Sequence, residues 1–109
     1  MSARLVRIKD WEALAKEARF RPADMAALCP ISLRHLERFF LGHFKQSPRL
    51  WATALRCRLA RDLIAQGWSN RAVAIELNFA DESQLCHTFQ RLYGCTPQTF
   101  APLYSKRTA

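Results

Sequence analysis

The sequence has little glycine and no closely spaced cysteines. Only 3 of its 109 residues are glycine, a composition that disfavours a glycine-rich nucleotide-binding loop. No Cys-x-x-Cys pair, the local half of a zinc or redox centre, is present. The thiols are widely spread, at Cys29, Cys57, Cys86 and Cys95. We therefore expect reduced cysteines, no metal site and no cofactor.

Long apolar runs are also missing. The N-terminal stretch MSARLVRIKDW lacks the continuous apolar segment of a secretory signal, and nowhere do about 18 apolar residues run together to span a bilayer. The sequence predicts a cytoplasmic protein without a membrane partner.

No group of side chains has the arrangement of a catalytic site. The only adjacent thiol and imidazole are those of Cys86 and His87, and neighbouring residues on one helix point in diverging directions. We expect no catalytic residue and no enzymatic activity.

Positive charge is abundant and unevenly distributed. The chain carries 17 Lys and Arg against 9 Asp and Glu, a net charge of +8. Residues 1–58 hold 12 basic and 5 acidic side chains, whereas residues 59–109 hold 5 and 4. A positive field of this size favours polyanionic partners, with nucleic acid ahead of a membrane surface. The attraction is concentrated in the first half.

Apolar residues recur with a helical period throughout, which predicts an all-α chain. Ser32 and Ser47 are suited to cap helix N-termini, and Pro22 to occupy a first helical turn. The predicted helices cover residues 9–18, 22–28, 33–44, 48–65, 70–77 and 82–93, followed by a final turn from Thr96-Pro97 to Phe100.

An internal repeat organises these helices. Leu36, Phe40, Phe44, Pro48 and Trp51 are matched 49 residues later by Leu85, Phe89, Tyr93, Pro97 and Phe100. Upstream the offset is 48, pairing Ala26 with Ala74, Cys29 with Leu77 and Ile31 with Phe79. One residue has therefore been gained near the second turn. Each copy consists of a short helix, a turn and a longer helix; a duplicated hairpin used only as scaffold is the alternative.

A helix that follows such a turn can place its N-terminal side chains in the DNA major groove as a recognition helix. In the first copy Arg34, His35, Glu37 and Arg38 lie away from the apolar face. An arginine fork can donate two bonds to guanine. The alternative for these residues is an ordinary solvated helix face.

The second copy presents a nearly neutral polar face. Its members are Glu82, Ser83, Gln84, Cys86 and His87, and Asp81 is the predicted N-cap, with Gln84 at capping-box spacing. Glutamine can pair with adenine and glutamate can accept from cytosine. A surface helix without base preference is the alternative.

Several segments together match one known pattern. They are SLRHLERFF from Ser32 to Phe40, then Trp51, Leu55-Arg56, Ala60 and Leu63-Ile64, then Val73-Ala74, Leu77-Asn78-Phe79, Leu85 and Thr88-Phe89, and finally Tyr93-Gly94-Cys95-Thr96-Pro97 with Phe100. With this set, residues 22–100 resemble the DNA-binding domain of the AraC/XylS family of bacterial transcription regulators.

The resemblance implies a seven-helix, homeodomain-like fold with two helix-turn-helix units joined by a long linking helix. The units would span residues 8–46 and 69–104, and the linking helix residues 48–65, within one domain of residues 1–109. It implies sequence-specific binding of double-stranded DNA, with activation more common than repression. The DNA-contacting residues would be Ser32, Arg34, His35, Glu37, Arg38, Glu82, Ser83, Gln84, Cys86 and His87.

The expected partners follow from the same resemblance. They are double-stranded DNA and, as a candidate, RNA polymerase; the protein would be nucleoid-associated and monomeric off DNA. With only about twenty residues before Pro22, we expect a stand-alone short member without a ligand pocket, and a fragment of a longer regulator is the alternative. A helical adaptor that contacts RNA polymerase or another regulator without reading DNA is the competing function.

Three positions depart from the family pattern. Pro30 and Asn78 stand where the two turns often have glycine, and Ala101 where an arginine is common. Because proline does not adopt positive φ, we expect the first turn to follow a different backbone path. Asparagine tolerates the left-handed region, so the second turn should be little changed.

Overall fold

The computed structural model describes residues 10–97 and residue 99. Within them the chain forms helices and no strand, as predicted. The helices are α1 (Trp11–Glu17), α2 (Pro22–Leu28), α3 (Leu33–Phe44), α4 (Pro48–Ala65), α5 (Asn70–Glu76) and α6 (Glu82–Tyr93). Some predicted features lie outside the described residues. They are the start of the first helix at residue 9, the start of the first unit at residue 8, the end of the second unit at residue 104, and the roles of Phe100 and Ala101.

Side-chain caps explain where the helices begin. The hydroxyl of Ser32 accepts a hydrogen bond from the N–H of His35 at 3.0 Å, and the hydroxyl of Ser47 accepts one from Leu50 at 3.2 Å. Both bonds satisfy N–H groups that have no partner inside the helix. Asp10, Ser69 and Asp81 cap α1, α5 and α6 in the same way.

The chain divides into two compact units between Leu55 and Arg56. The first contains α1, α2, α3 and the start of α4; the second contains the rest of α4 with α5 and α6. No helix in the described part of the chain is long and apolar enough to cross a membrane.

An aromatic cluster forms much of the core of the first unit. The ring of Trp11 in α1 lies 4.9 Å from that of Phe40 in α3, centroid to centroid, and 5.8 Å from that of Phe39. Phe40 is fully buried and its ring is also 5.4 Å from that of Trp51 in α4. Aromatic burial of this extent contributes strongly to stability. It holds the apolar face of α3 inward and leaves the opposite face in solvent.

The core of the second unit is more aliphatic. Val73 and Ala74 of α5 are buried, as are Leu85 and Phe89 of α6. Phe89 also packs against the ring of Tyr93, with centroids 4.7 Å apart. As in the first unit, the buried face of the longer helix leaves its polar face exposed.

Candidate nucleic-acid interface

The predicted repeat is visible in the helices themselves. α2 and α5 each have 7 residues and begin 48 positions apart, while α3 and α6 each have 12 residues and begin 49 apart. In the first turn the N–H of Ile31 donates to the carbonyl of Ala26 at 3.1 Å. In the second the N–H of Phe79 donates to the carbonyl of Ala74 at 2.9 Å. Each unit therefore contains a helix-turn-helix of the same design.

The first turn does not follow the different path that we predicted for it. Pro30 has φ of +27° and Asn78 has φ of +62°, and the two turns close with equivalent hydrogen bonds. The prediction for Asn78 is confirmed, whereas that for Pro30 is wrong. Because the proline ring favours φ near −65°, the closing hydrogen bond that both turns share is maintained with backbone strain at Pro30.

The additional residue of the second turn is Ala80. Ile31 is followed directly by the helix cap Ser32, whereas Phe79 is separated from the cap Asp81 by this one alanine. The N–H of Ala80 donates to the side-chain oxygen of Gln84 at 2.6 Å. A strict capping box would bring that oxygen to the N–H of the cap residue instead. Gln84 thus secures the extra residue.

The exposed face of α3 carries a pair of arginines. Arg34 and Arg38 are both exposed and, four residues apart, lie on one side of the helix, with Glu37 exposed beside them. Neither arginine makes an ion pair with another described residue. His35 is half-buried, and the hydroxyl of Ser32 is engaged in the cap.

The polar residues of α6 are less uniform than the sequence suggested. Glu82, Ser83 and His87 are exposed. Gln84 is exposed as well, but its side-chain oxygen already accepts the Ala80 bond. Its amide NH₂ is the part left for another partner.

Cys86 is half-buried against α5. The side-chain amide of Asn70 lies 3.9 Å from its sulfur. Burial, reinforced by the charge of Glu82, raises the pKa of this thiol, so it stays protonated near neutral pH. It offers a small apolar contact rather than an ionic one. The described residues contain no cluster of three or more His, Cys, Asp or Glu that could hold a metal.

Arg56, for which no role was predicted from the sequence, contacts the second turn. Its guanidinium donates to the carbonyl of Asn78 at 3.0 Å and lies 4.3 Å from the centre of the Phe79 ring. The available signal was its place in the matched pattern, directly after Leu55 and four residues before Ala60. An arginine beside the apolar face of a helix more often extends its charged end into solvent, so its contact with Asn78 and Phe79 could not be predicted.

Comparison with known proteins agrees with this architecture. A family model described as "Helix-turn-helix domain" matches residues 25–102. A crystal structure of a transcriptional regulator of the AraC-type DNA-binding domain-containing proteins, from Chromobacterium violaceum, has a TM-score of 0.79 at 19% identity and covers 97% of this chain and 98% of its own. At that identity the likeness concerns the fold.

Two curated relatives match in sequence. The HTH-type transcriptional regulator RipA of Corynebacterium glutamicum is 36% identical over 77 residues, which are 71% of this chain and 23% of RipA. The uncharacterized HTH-type transcriptional regulator YidL of Escherichia coli is 35% identical over 82 residues, 74% of this chain and 28% of YidL. The chain thus spans about a quarter of the length of these relatives. Together, the matched family model, the duplicated helix-turn-helix and the shared fold show that the chain belongs to the AraC-type helix-turn-helix family.

Proposed function

We propose that this chain is a sequence-specific, double-stranded DNA-binding transcription regulator. The observation that carries the proposal is the pair of exposed cations, Arg34 and Arg38, one turn apart on α3 without an ion-pair partner among the described residues. Two guanidinium groups in the first half of a recognition helix can bind phosphates and hydrogen-bond to bases. Membership of the family and the printed descriptions of RipA and YidL as transcriptional regulators support the same function.

In this proposal α3 is the anchor. Arg38 donates two parallel bonds to O6 and N7 of a guanine, and Arg34 contacts a second base or the flanking phosphate. Glu37 accepts from a cytosine amino group. Ser32 and His35 lie at the first turn of α3, where backbone N–H groups and the Ser32 hydroxyl hydrogen can approach a phosphate.

The second recognition helix, α6, acts as a weaker selector. His87 occupies the position that corresponds to Arg38 in the repeat, and the Gln84 amide can donate to a base. The Ser83 hydroxyl can donate to or accept from a base edge, and Cys86 adds an apolar contact. Glu82 repels nearby phosphates, so we expect weaker footprint protection of the half-site that α6 contacts.

The two recognition helices would enter successive major grooves of one duplex, roughly 34 Å apart. A single protomer would then cover an asymmetric site, so the protein would bind as a monomer. Activation of transcription, with RNA polymerase as the protein partner in the bacterial cytoplasm, is the regulatory outcome we propose.

The proposed function is tested by the salt dependence of binding to random duplex DNA. Neutralising several phosphates releases counterions, so log affinity should fall steeply and linearly with log salt, by about 0.9 per phosphate contact. Arg34→Gln should reduce affinity for random DNA, whereas Lys16→Gln, which removes an exposed charge from α1, should have a smaller effect. A flat salt response would favour the protein-interaction adaptor instead.

A further inference from the structure

Arg56 has an unusual environment for an arginine. It is half-buried at the start of the second unit, and its Nη1 donates to the carbonyl oxygen of Asn78 at 3.0 Å. The guanidinium carbon lies 4.3 Å from the centroid of the Phe79 ring. Its Nε is buried and has no hydrogen-bond partner among the described residues.

This environment is costly for a cation. Removing a guanidinium from water is unfavourable unless its N–H groups are paired, and the Nε is not. Burial accordingly lowers the pKa of Arg56. The charge-assisted hydrogen bond to the Asn78 carbonyl and the cation–π contact with Phe79 offset part of this desolvation cost. An arginine is therefore a costly residue to place at this position for packing alone.

The two residues that Arg56 contacts form the second turn. Asn78 is in the left-handed region, with φ of +62°, and Phe79 closes the turn through its bond to Ala74. Ala80 and the helix cap Asp81 follow directly. A side chain that holds Asn78 and Phe79 therefore fixes the point and direction from which α6 starts.

We propose that Arg56 is a positioning residue that sets how α6 presents its polar face to DNA. This inference rests on the proposed function and names a determinant of the second half-site that does not itself contact DNA. The repeat supports a role confined to this unit, because Ile31 stands where Phe79 is and an aliphatic side chain cannot stack with a guanidinium.

The experiment compares Arg56→Met and Arg56→Lys with the unaltered full chain on a DNA site selected by that chain. In hydroxyl-radical footprints, Arg56→Met should lose protection of the α6 half-site and keep that of the α3 half-site. Overall affinity should fall roughly tenfold, as for the loss of one base contact. Arg56→Lys, which keeps a cation with N–H donors at this position, should recover part of the protection.

Arg49→Met is the matched control, because it removes an exposed arginine from the same helix. At most it should weaken both half-sites uniformly. Thermal unfolding followed by circular dichroism, with amide NMR shifts of Asn78, Phe79 and Gln84, reports on the protein without DNA. Arg56→Met should shift these amides while its melting temperature stays close to that of the unaltered chain.

The outcomes separate the two proposals. If the unaltered chain leaves no footprint on any duplex, the proposed function is wrong, and the amide shifts alone decide whether Arg56 positions α6. If the unaltered chain leaves a footprint and Arg56→Met protects both half-sites equally well, the positioning role is overturned while the proposed function stands. Failure of both variants to fold, or no recovery by lysine, would show that Arg56 is only structural.

Discussion

The side-chain oxygen of Gln84 accepts a hydrogen bond from the backbone N–H of Ala80 at 2.6 Å. Ala80 is the residue by which the second turn exceeds the first, and without Gln84 its N–H would need another partner. The bond gives Gln84 a structural role in addition to the predicted contact with a base. The two roles use different atoms, because the oxygen holds Ala80 while the NH₂ group is left to donate.

Replacing Gln84 by methionine or glutamate separates these roles. Gln84→Met removes the acceptor and should lower the free energy of unfolding by about 1 kcal/mol in urea denaturation. Gln84→Glu keeps an acceptor and places a negative charge in the first turn of α6, so stability should be retained. It loses the donor and repels phosphate, so DNA affinity should fall.

Gln90→Met is the matched control for stability, since Gln90 is exposed on the same helix. We expect it to change the free energy of unfolding by less than about 0.5 kcal/mol. Equal stability of Gln84→Met and Gln90→Met would contradict the structural role of Gln84.

In the proposed function, base reading by α3 depends most on Arg38. Arg38→Ala should cost about 1–3 kcal/mol of binding free energy on the preferred site and relax the base preference there. Titrations by fluorescence anisotropy on specific and random duplexes measure both effects. Equal losses on the two duplexes would show that Arg38 contacts only phosphate; Lys16→Ala serves as the control for lost charge.

Pro30 tests the geometry of the first turn. With φ of +27° the proline is strained, so Pro30→Gly should raise the melting temperature, because glycine adopts positive φ without steric cost. Had the turn taken a path with ordinary proline geometry, the same change would lower it by loosening the unfolded chain. Thermal unfolding of the two proteins under one buffer condition decides between these outcomes.

The buried thiol of Cys57 should make the protein less stable at alkaline pH. Burial raises the pKa of this thiol to about 11 from 9.0, despite the opposing effect of Arg56 and Arg91. Below pH 9 the thiol is protonated in both the folded and the unfolded chain, and its contribution to the free energy of unfolding is fully present. Between pH 9 and 11 it ionises only in the unfolded chain, which then binds fewer protons, so the free energy of unfolding falls by at most about 1.4 kcal/mol per pH unit.

Urea denaturation at several pH values compares the unaltered chain with Cys57→Ala. The variant will be less stable overall because of the cavity, but its stability should decline less between pH 9 and 11. Cys95→Ala, which removes a half-buried thiol, is the control. Parallel declines in the unaltered chain and Cys57→Ala would refute the assignment.

Much of the fold follows from local signals in the sequence. The predicted helices 48–65 and 82–93 coincide with α4 and α6, because Pro48 and Asp81 mark their starts and Gly94 adopts the left-handed conformation that ends α6. The first helix was predicted to include Asp10 and Ala18, which in the structure are the cap residues just outside α1, where fraying makes boundaries weak.

Long-range contacts could not be predicted from the sequence. The bond from Arg56 to Asn78 joins residues 22 positions apart, and no periodicity marks it. The path at Pro30 was wrongly predicted because the local preference of proline was weighed without the packing of α2 on α3. The DNA-contacting residues stay predictions. The structure shows that Arg34, Arg38 and His87 are exposed and that Cys86 is half-buried, but exposure does not test contact with DNA.

The most direct test of the account is selection of bound sequences by this chain from a random duplex pool. We predict enrichment of one asymmetric site close to two helical turns long, with a guanine that loses its enrichment when the selection is repeated with Arg38→Ala. A pool that shows no enriched sequence after repeated rounds would contradict the claim that this chain reads DNA.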